Sequence, residues 1–287
     1  MRMSQRILCW TLIAVSTLST PGLSGNGTAS AAGDSSVITL TLPANDPVFQ
    51  VGEELTYNVS YASFNIGQVR IRLIDSFTRN NRTTFRATAF IDSYKGVPFV
   101  NLHTVYESAF DQDIYSTWFE ARQKQDDGWT AIDYAFDYPR HSVSIEKGVW
   151  KSGKIDSRES LHLDTLSQDG LSLFFLARRE VMTPQKLNIP TVVNEKKGNT
   201  FINFTGERTD ETIDAVDYPI DLIHFEGQAG FVGVAGLTGG FEGWFSNDAA
   251  RVPVIAKMKV LLGNVRIELM KWKRAGWDPP RSNGAKR

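Results

Sequence analysis

The residues in this chain best suited to metal binding or acid–base chemistry are four histidines and a scatter of carboxylates. Their spacing assembles none of them into a site. His103 and Glu107 share one face of an extended segment, yet four residues at about 3.3 Å each set them roughly 13 Å apart, too far for one metal ion. His162 and Asp164 put two ligand types on one face around Leu163, the pattern of a polar surface pair. His141 and His224 lie apart from both. Asp133 and Asp137 are the carboxylate pair a periplasmic hydrolase of envelope polysaccharide would use, although closeness in sequence does not give the separation across a substrate that the reaction requires. They read as solvated strand-face charges. No Gly-x-Ser-x-Gly elbow, His-Glu-x-x-His or nucleotide fingerprint occurs. The expectation is a protein with no catalytic residue, no metal and no cofactor.

The one cysteine, Cys9, falls in a stretch that reads as an export signal. Arg2 and Arg6 precede the apolar run Ile7 to Val15, and Ala29-Ser30-Ala31 supplies the small residues a signal peptidase requires. The run is too short to span a membrane, because Ser16, Thr17, Ser19, Thr20 and Pro21 interrupt it. Leu8 before Cys9 and Trp10 after it do not suit lipid attachment. Residues 1–31 are therefore expected to be cleaved and the mature chain exported, to the periplasm of a Gram-negative bacterium. That chain would contain no thiol and hence no disulfide. The full chain of 287 residues has a formal net charge of -1, which gives no support for a nucleic-acid partner.

Residues 35–273 read as a single β domain. Leu55, Tyr57, Val59 and Tyr61 share one face, as do Val69, Ile71 and Leu73, then Phe85, Ala87, Ala89 and Ile91. Further short runs follow at roughly 8 to 12 residue spacing with Asp- and Gly-rich turns between them, which predicts an all-β fold: a single antiparallel, strongly curved sheet or partly open barrel. Near the C-terminus, two alternating runs flank Gly263-Asn264. A two-residue turn there pairs Leu262 with Val265, Val260 with Ile267 and Met258 with Leu269, and sets Lys259 opposite Glu268. Residues 274–287 read as a disordered tail.

One stretch has helical period. Leu171, Phe174, Phe175 and Arg178 fall on one face, Asp169 can cap the start, and Arg178 with Arg179 suits the C-terminal dipole. This short helix, residues 169–179, is expected to plug the open side of the curved sheet. Glycines at 227, 230, 233, 236, 239, 240 and 243 fit neither collagen nor a phosphate loop and read as a bulged strand with a wide turn.

Together, Phe49-x-x-Gly52-Glu53-x-Leu55-x-Tyr57, Gly67, Asp169-Gly-Leu171-Ser172 running on to Arg178, Trp244-Phe-Ser-Asn-Asp248-x-x-Arg251-x-Pro253-Val254, and Gly263 resemble the exported bacterial family designated domain of unknown function 3108. The likeness spans about residues 48 to 270. Gly170 departs from it, standing where proline is expected. The resemblance implies no activity. A curved sheet closed by an aromatic helix leaves a concave apolar interior, which suits a lipid or other apolar ligand; Leu171, Phe174, Phe175 and Trp244 are the lining candidates. The alternative is an envelope assembly protein whose partner is another envelope protein and whose core is filled.

Overall fold

The structure, a computed structural model, describes residues 47–79, 82–97, 101–230, 239–259 and 263–284. The alternating run from Val37 to Leu42, which reads as an edge strand, lies outside the described residues, as do the export signal and Cys9.

A first run of strands comprises β1 (Glu54–Tyr61), β2 (Phe64–Arg79), β3 (Arg82–Ser93), β4 (His103–Asp111), β5 (Ser116–Gln125), β6 (Gly128–Asp137), β7 (Ser142–Val149) and β8 (Ile155–His162). Helix α1 (Ser172–Glu180) follows. The second run is β9 (Gln185–Val193), β10 (Lys196–Glu211), β11 (Ile220–Ala229), β12 (Gly239–Ser246), β13 (Pro253–Lys259) and β14 (Asn264–Lys273). Within each run every strand pairs antiparallel with the next, and β1 pairs with β14, so the two meanders form one sheet of 14 strands with β8 and β9 as its edges.

The sheet is not closed. It curls until the β9–β10 turn lies against the inner face of β6 and β7: the Glu195 backbone N–H donates to Tyr134 Oη at 2.9 Å, and Lys147 Nζ pairs with the Glu195 carboxylate at 2.9 Å. Val192 of β9 belongs to the same buried cluster as Val143 and Ile145 of β7. The segment after β8 completes the seam, with the Gln168 N–H bonded to Pro190 O and the Val192 N–H to Gln168 O. β8 itself is left almost wholly in solvent.

Alternation explains most of these strands. Leu55 and Tyr57, Ala87 and Ala89, and Val143 and Ile145 are buried at every second position, as a strand with one covered face requires. The hairpin of β13 and β14 forms, but its register differs from the sequence expectation. Met258 faces Val265 and Ala256 faces Ile267, while Lys259 faces Asn264. The connection is longer than two residues, and the displacement is an even number of positions, so Met258, Val265 and Ile267 still point inward, while Val260 and Leu262 lie outside the described residues. Lys259 does not meet Glu268, whose carboxylate instead pairs with Arg266 at 2.6 Å.

The tail also differs from expectation. Trp277 Nε1 donates to Asp248 at 2.7 Å, the Asp221 N–H donates to Pro280 O at 2.9 Å, and the Ser282 N–H donates to Pro219 O at 2.9 Å. Those indole and main-chain bonds hold a proline-rich segment that has no periodicity of its own.

Candidate functional site: an apolar cavity inside the curled sheet

Helix α1 forms the floor. Its start is fixed by Asp169, whose carboxylate accepts the Leu171 and Ser172 N–H groups at 2.7 and 2.9 Å, as expected of a cap, although the helix itself begins at Ser172. The same carboxylate accepts the hydroxyls of Ser108 and Ser116 at 2.6 and 2.7 Å, tying the helix to β4 and β5. Burial raises the Asp169 pKa above the ordinary range, even though these hydrogen bonds work the other way.

Below the floor the aromatic core is dense. Phe175 stacks on Phe110 at 4.9 Å and meets Phe49 edge-on at 5.7 Å. At the helix C-terminus the buried Arg178 guanidinium donates to both oxygens of Glu53 at 2.5 and 2.9 Å, and Arg274 joins the same carboxylate. Burial opposes the Glu53 charge, but the two guanidiniums outweigh it and hold the carboxyl below its usual value.

Above the floor the curled sheet lines a half-open cavity of about 490 Å³, within the roughly 300–1,000 Å³ of small-molecule sites. Leu173, Phe174 and Ala177 face it from α1; Tyr106, Phe119 and Ile132 from one wall; Ile202, Phe225, Phe241 and Ile267 from the other. Two glycines make room for the aromatic wall. A Cβ at Gly227 would run into the Phe241 ring, and one at Gly243 into the Phe225 ring. Burial pushes the Tyr106 phenol up to about 12, so it stays a neutral hydroxyl inside the apolar wall. Polar groups gather at the rim: Asp92 beside His103 at 2.9 Å, Glu242 beside Lys257 at 3.1 Å, Glu195 beside Lys147, and Lys259.

Of the lining candidates named from sequence, the structure brings Phe174 to the cavity. Leu171 and Phe175 lie in the sealed core, because the helix face predicted from their spacing points down between the sheet ends and not up into the space. Trp244 alternates with Phe245, which lines the cavity, and so sits on the opposite face, against His224 at 5.3 Å and beneath Lys257. Tyr106, Phe119, Ile132 and Phe225 were not singled out. Their inward alternation in the sequence marks them as core, and only the roll of the sheet shows that part of that core is empty.

The polar candidates stay apart. Asp137 caps the short 3-10 turn Tyr138–Arg140, while Asp133 lies four strand residues away, about 13 Å. That separation exceeds the roughly 5–9.5 Å at which two carboxylates flank a glycosidic bond. Asp133 instead belongs to a row across the outer face, in which Glu107 faces Glu120, Glu120 faces Asp133, and Asp133 faces Glu146. His162 and Asp164 form a surface pair at 3.5 Å. Among the described residues no group of three or more His, Cys, Asp or Glu is placed to hold a metal ion, and no helix is long and apolar enough to cross a membrane.

Comparison with solved structures finds similar β architectures at low identity. A β-barrel-like protein of a domain of unknown function, DUF1849, from Brucella abortus matches with a TM-score of 0.47 and 11% identity, covering 80% of this chain and 100% of its own. A Bacteroides fragilis protein described as a candidate exported protein with a YmcC-like fold matches with a TM-score of 0.35 and 9% identity, covering 78% of this chain and 97% of its own. No curated protein sequence matches. The family model for the proteins of unknown function DUF3108 matches residues 56–270, from β1 to β14, and the chain belongs to that family.

Proposed function

We propose that the protein binds and carries an apolar small molecule in the bacterial envelope, after export to the periplasm and without catalysing a reaction. The observation that carries this reading is the cavity of about 490 Å³ between α1 and the curled sheet, walled by apolar side chains from both meanders. An assembly protein with a filled core has no use for such a space, and a half-open apolar lining of this size stays in contact with water unless an occupant covers it.

Native mass spectrometry of chain purified from an envelope, with titration of a neutral fluorescent naphthylamine probe, tests the proposal. One saturable probe per chain is expected. Ala121→Trp, which places a large ring among Tyr106 and Ile132, should abolish uptake while leaving the β circular dichroism signal intact. Wild-type protein that neither retains a ligand nor takes up the probe would favour the scaffold reading.

A further inference from the structure

We infer that one arc of the cavity rim docks on the surface of a lipid bilayer, with the Phe64 ring entering its apolar layer. The inference rests on the cavity reading above and names the partner with which the ligand is exchanged.

Topology defines the arc. Alternate connections of an antiparallel meander fall at opposite ends of the sheet, and α1 lies across one end as the cavity floor. At the other end, four connections join strands that are neighbours in the sheet order, from β4 through β3, β2, β1, β14, β13 and β12 to β11. They are residues 94–102, 62–63, 260–263 and 230–238. Ile66, Leu102, Ala229, Gly239 and Lys259, in or next to these connections, line the cavity, so its open side is at this end.

The rest of that rim has a different composition. The four connections hold 24 residues and one charge, Lys95. The other three connections at this end, residues 126–127, 150–154 and 194–195, hold nine residues and five charges: Asp126, Asp127, Lys151, Lys154 and Glu195. In a chain that is 22% charged, a nearly uncharged arc beside an apolar mouth is the part of the surface that water solvates least. Phe64 stands on this arc, beside the two-residue β1–β2 turn, and is 75% exposed, the most of any large apolar side chain among the described residues. Fourteen of the 24 residues lie outside the described ones, at 98–100, 231–238 and 260–262. Their chain leaves from and returns to the same arc, between Val97 and Asn101, Gly230 and Gly239, and Lys259 and Gly263, and its sequence holds no charged residue.

A bilayer is the partner that this arc and this cavity share. An apolar ligand dissolves in a membrane and not in water, so exchange without crossing water requires the open side of the cavity to face a membrane. An exposed phenyl ring on an uncharged arc is the chemistry of interfacial insertion, in which apolar side chains enter the boundary between headgroups and acyl chains. Net charge plays a small part. Asp92, Glu195 and Glu242 around the cavity are matched in number by Lys147, Lys257 and Lys259, so docking should not depend on lipid charge.

Flotation of the purified chain with vesicles of neutral phosphatidylcholine, at low and at high salt, tests the inference. Wild type should float with the vesicles equally at both. Phe64→Ser should weaken the partition about tenfold, as expected for withdrawing a phenyl ring from an apolar layer. Phe77→Ser is the control, because Phe77 lies on the same strand and is 51% exposed but stands by the β2–β3 turn at the other end, opposite Thr84. It should leave the partition unchanged. Ala121→Trp should float like wild type while losing the naphthylamine probe, so docking and uptake are read apart. Wild type that does not float, that floats only at low salt, or that is weakened as much by Phe77→Ser as by Phe64→Ser would overturn the inference, and continued probe uptake would leave the cavity reading standing. A wild-type dimer in native mass spectrometry that does not float and that Phe64→Ser dissociates would also overturn it, making the arc an interface between two copies. Flotation without probe uptake would remove the carrier reading and keep the docking surface.

Discussion

The Arg178 guanidinium donates two hydrogen bonds to the Glu53 carboxylate, at 2.5 and 2.9 Å, across 125 residues of sequence. It also donates to Ala250 O at 3.1 Å, so one side chain ties the helix, the start of β1 and the β12–β13 connection together. Removing Arg178 takes away two of the hydrogen bonds to the buried Glu53 carboxylate and leaves Arg274 as its remaining guanidinium partner. Arg178→Ala should therefore destabilise the fold by about 3–5 kcal/mol, read as a shift of the urea midpoint with little change in slope. The pair also sets a pH dependence. The Glu53 carboxyl is held below the usual glutamate value of 4.5, so its contribution is fully present above that value and is lost as pH falls through the lower, folded value. Acid titration of wild type against Glu53→Gln should show that this component of the loss disappears in the variant.

The row formed by Glu107, Glu120, Asp133 and Glu146 predicts the opposite sign. Burial comes first among the causes that raise the Asp133 carboxyl, followed by the charge of Glu146; Arg122 pulls it down. A carboxyl whose folded pKa lies above its unfolded one costs stability at neutral pH and returns it on acidification. The groups are partly exposed and Arg122 pairs with two of them, so water and that guanidinium screen much of the repulsion, and Asp133→Asn should stabilise at pH 7 by less than about 1 kcal/mol. That gain should shrink as pH falls through the folded pKa of Asp133. Chemical denaturation at the two ends of that range checks both statements, and a variant less stable at pH 7 would contradict them.

Much of this fold can be read from its sequence, because alternation is a local signal: Leu55 and Tyr57, or Val143 and Ile145, announce their faces within four residues. β8 carries no such signal. Its residues from Ile155 to Ser160 are all exposed, so they show no buried face to alternate. The site was less legible. Helical spacing groups Phe174 with Phe175, but which of the two meets the cavity depends on how α1 sits between strands far apart in sequence. Lys147 and Glu195 join only because the sheet curls back on itself. The glycines at 227 and 243 were visible as a run, but their purpose, admitting the rings of Phe241 and Phe225, is a relation between strands.

Export is testable apart from the fold. If residues 1–31 are removed, mass spectrometry of chain recovered from the producing cell should give an N-terminus near Ala32 or Gly33, before the first described residue, Pro47. Intact Met1 or an acylated Cys9 would contradict it.

Phe174 and Phe175 are adjacent on α1 and should respond differently to the same truncation. Phe175 is 1% exposed and packs against Phe49 and Phe110, so Phe175→Ala opens a void in a closed core and should cost about 3–5 kcal/mol. Phe174 touches Phe175 at 5.3 Å on one side but faces existing empty space on the other. Phe174→Ala enlarges that space without creating a sealed void and should cost about half as much or less. Its main effect should be on binding: a bulkier apolar ligand becomes the best fit. Phe174→Asp should abolish probe uptake while the β signal persists, because a carboxylate in an apolar floor cannot be solvated once an apolar ligand covers it. Equal destabilisation by the two alanine variants, or unchanged uptake in Phe174→Asp, would show that Phe174 does not form the floor.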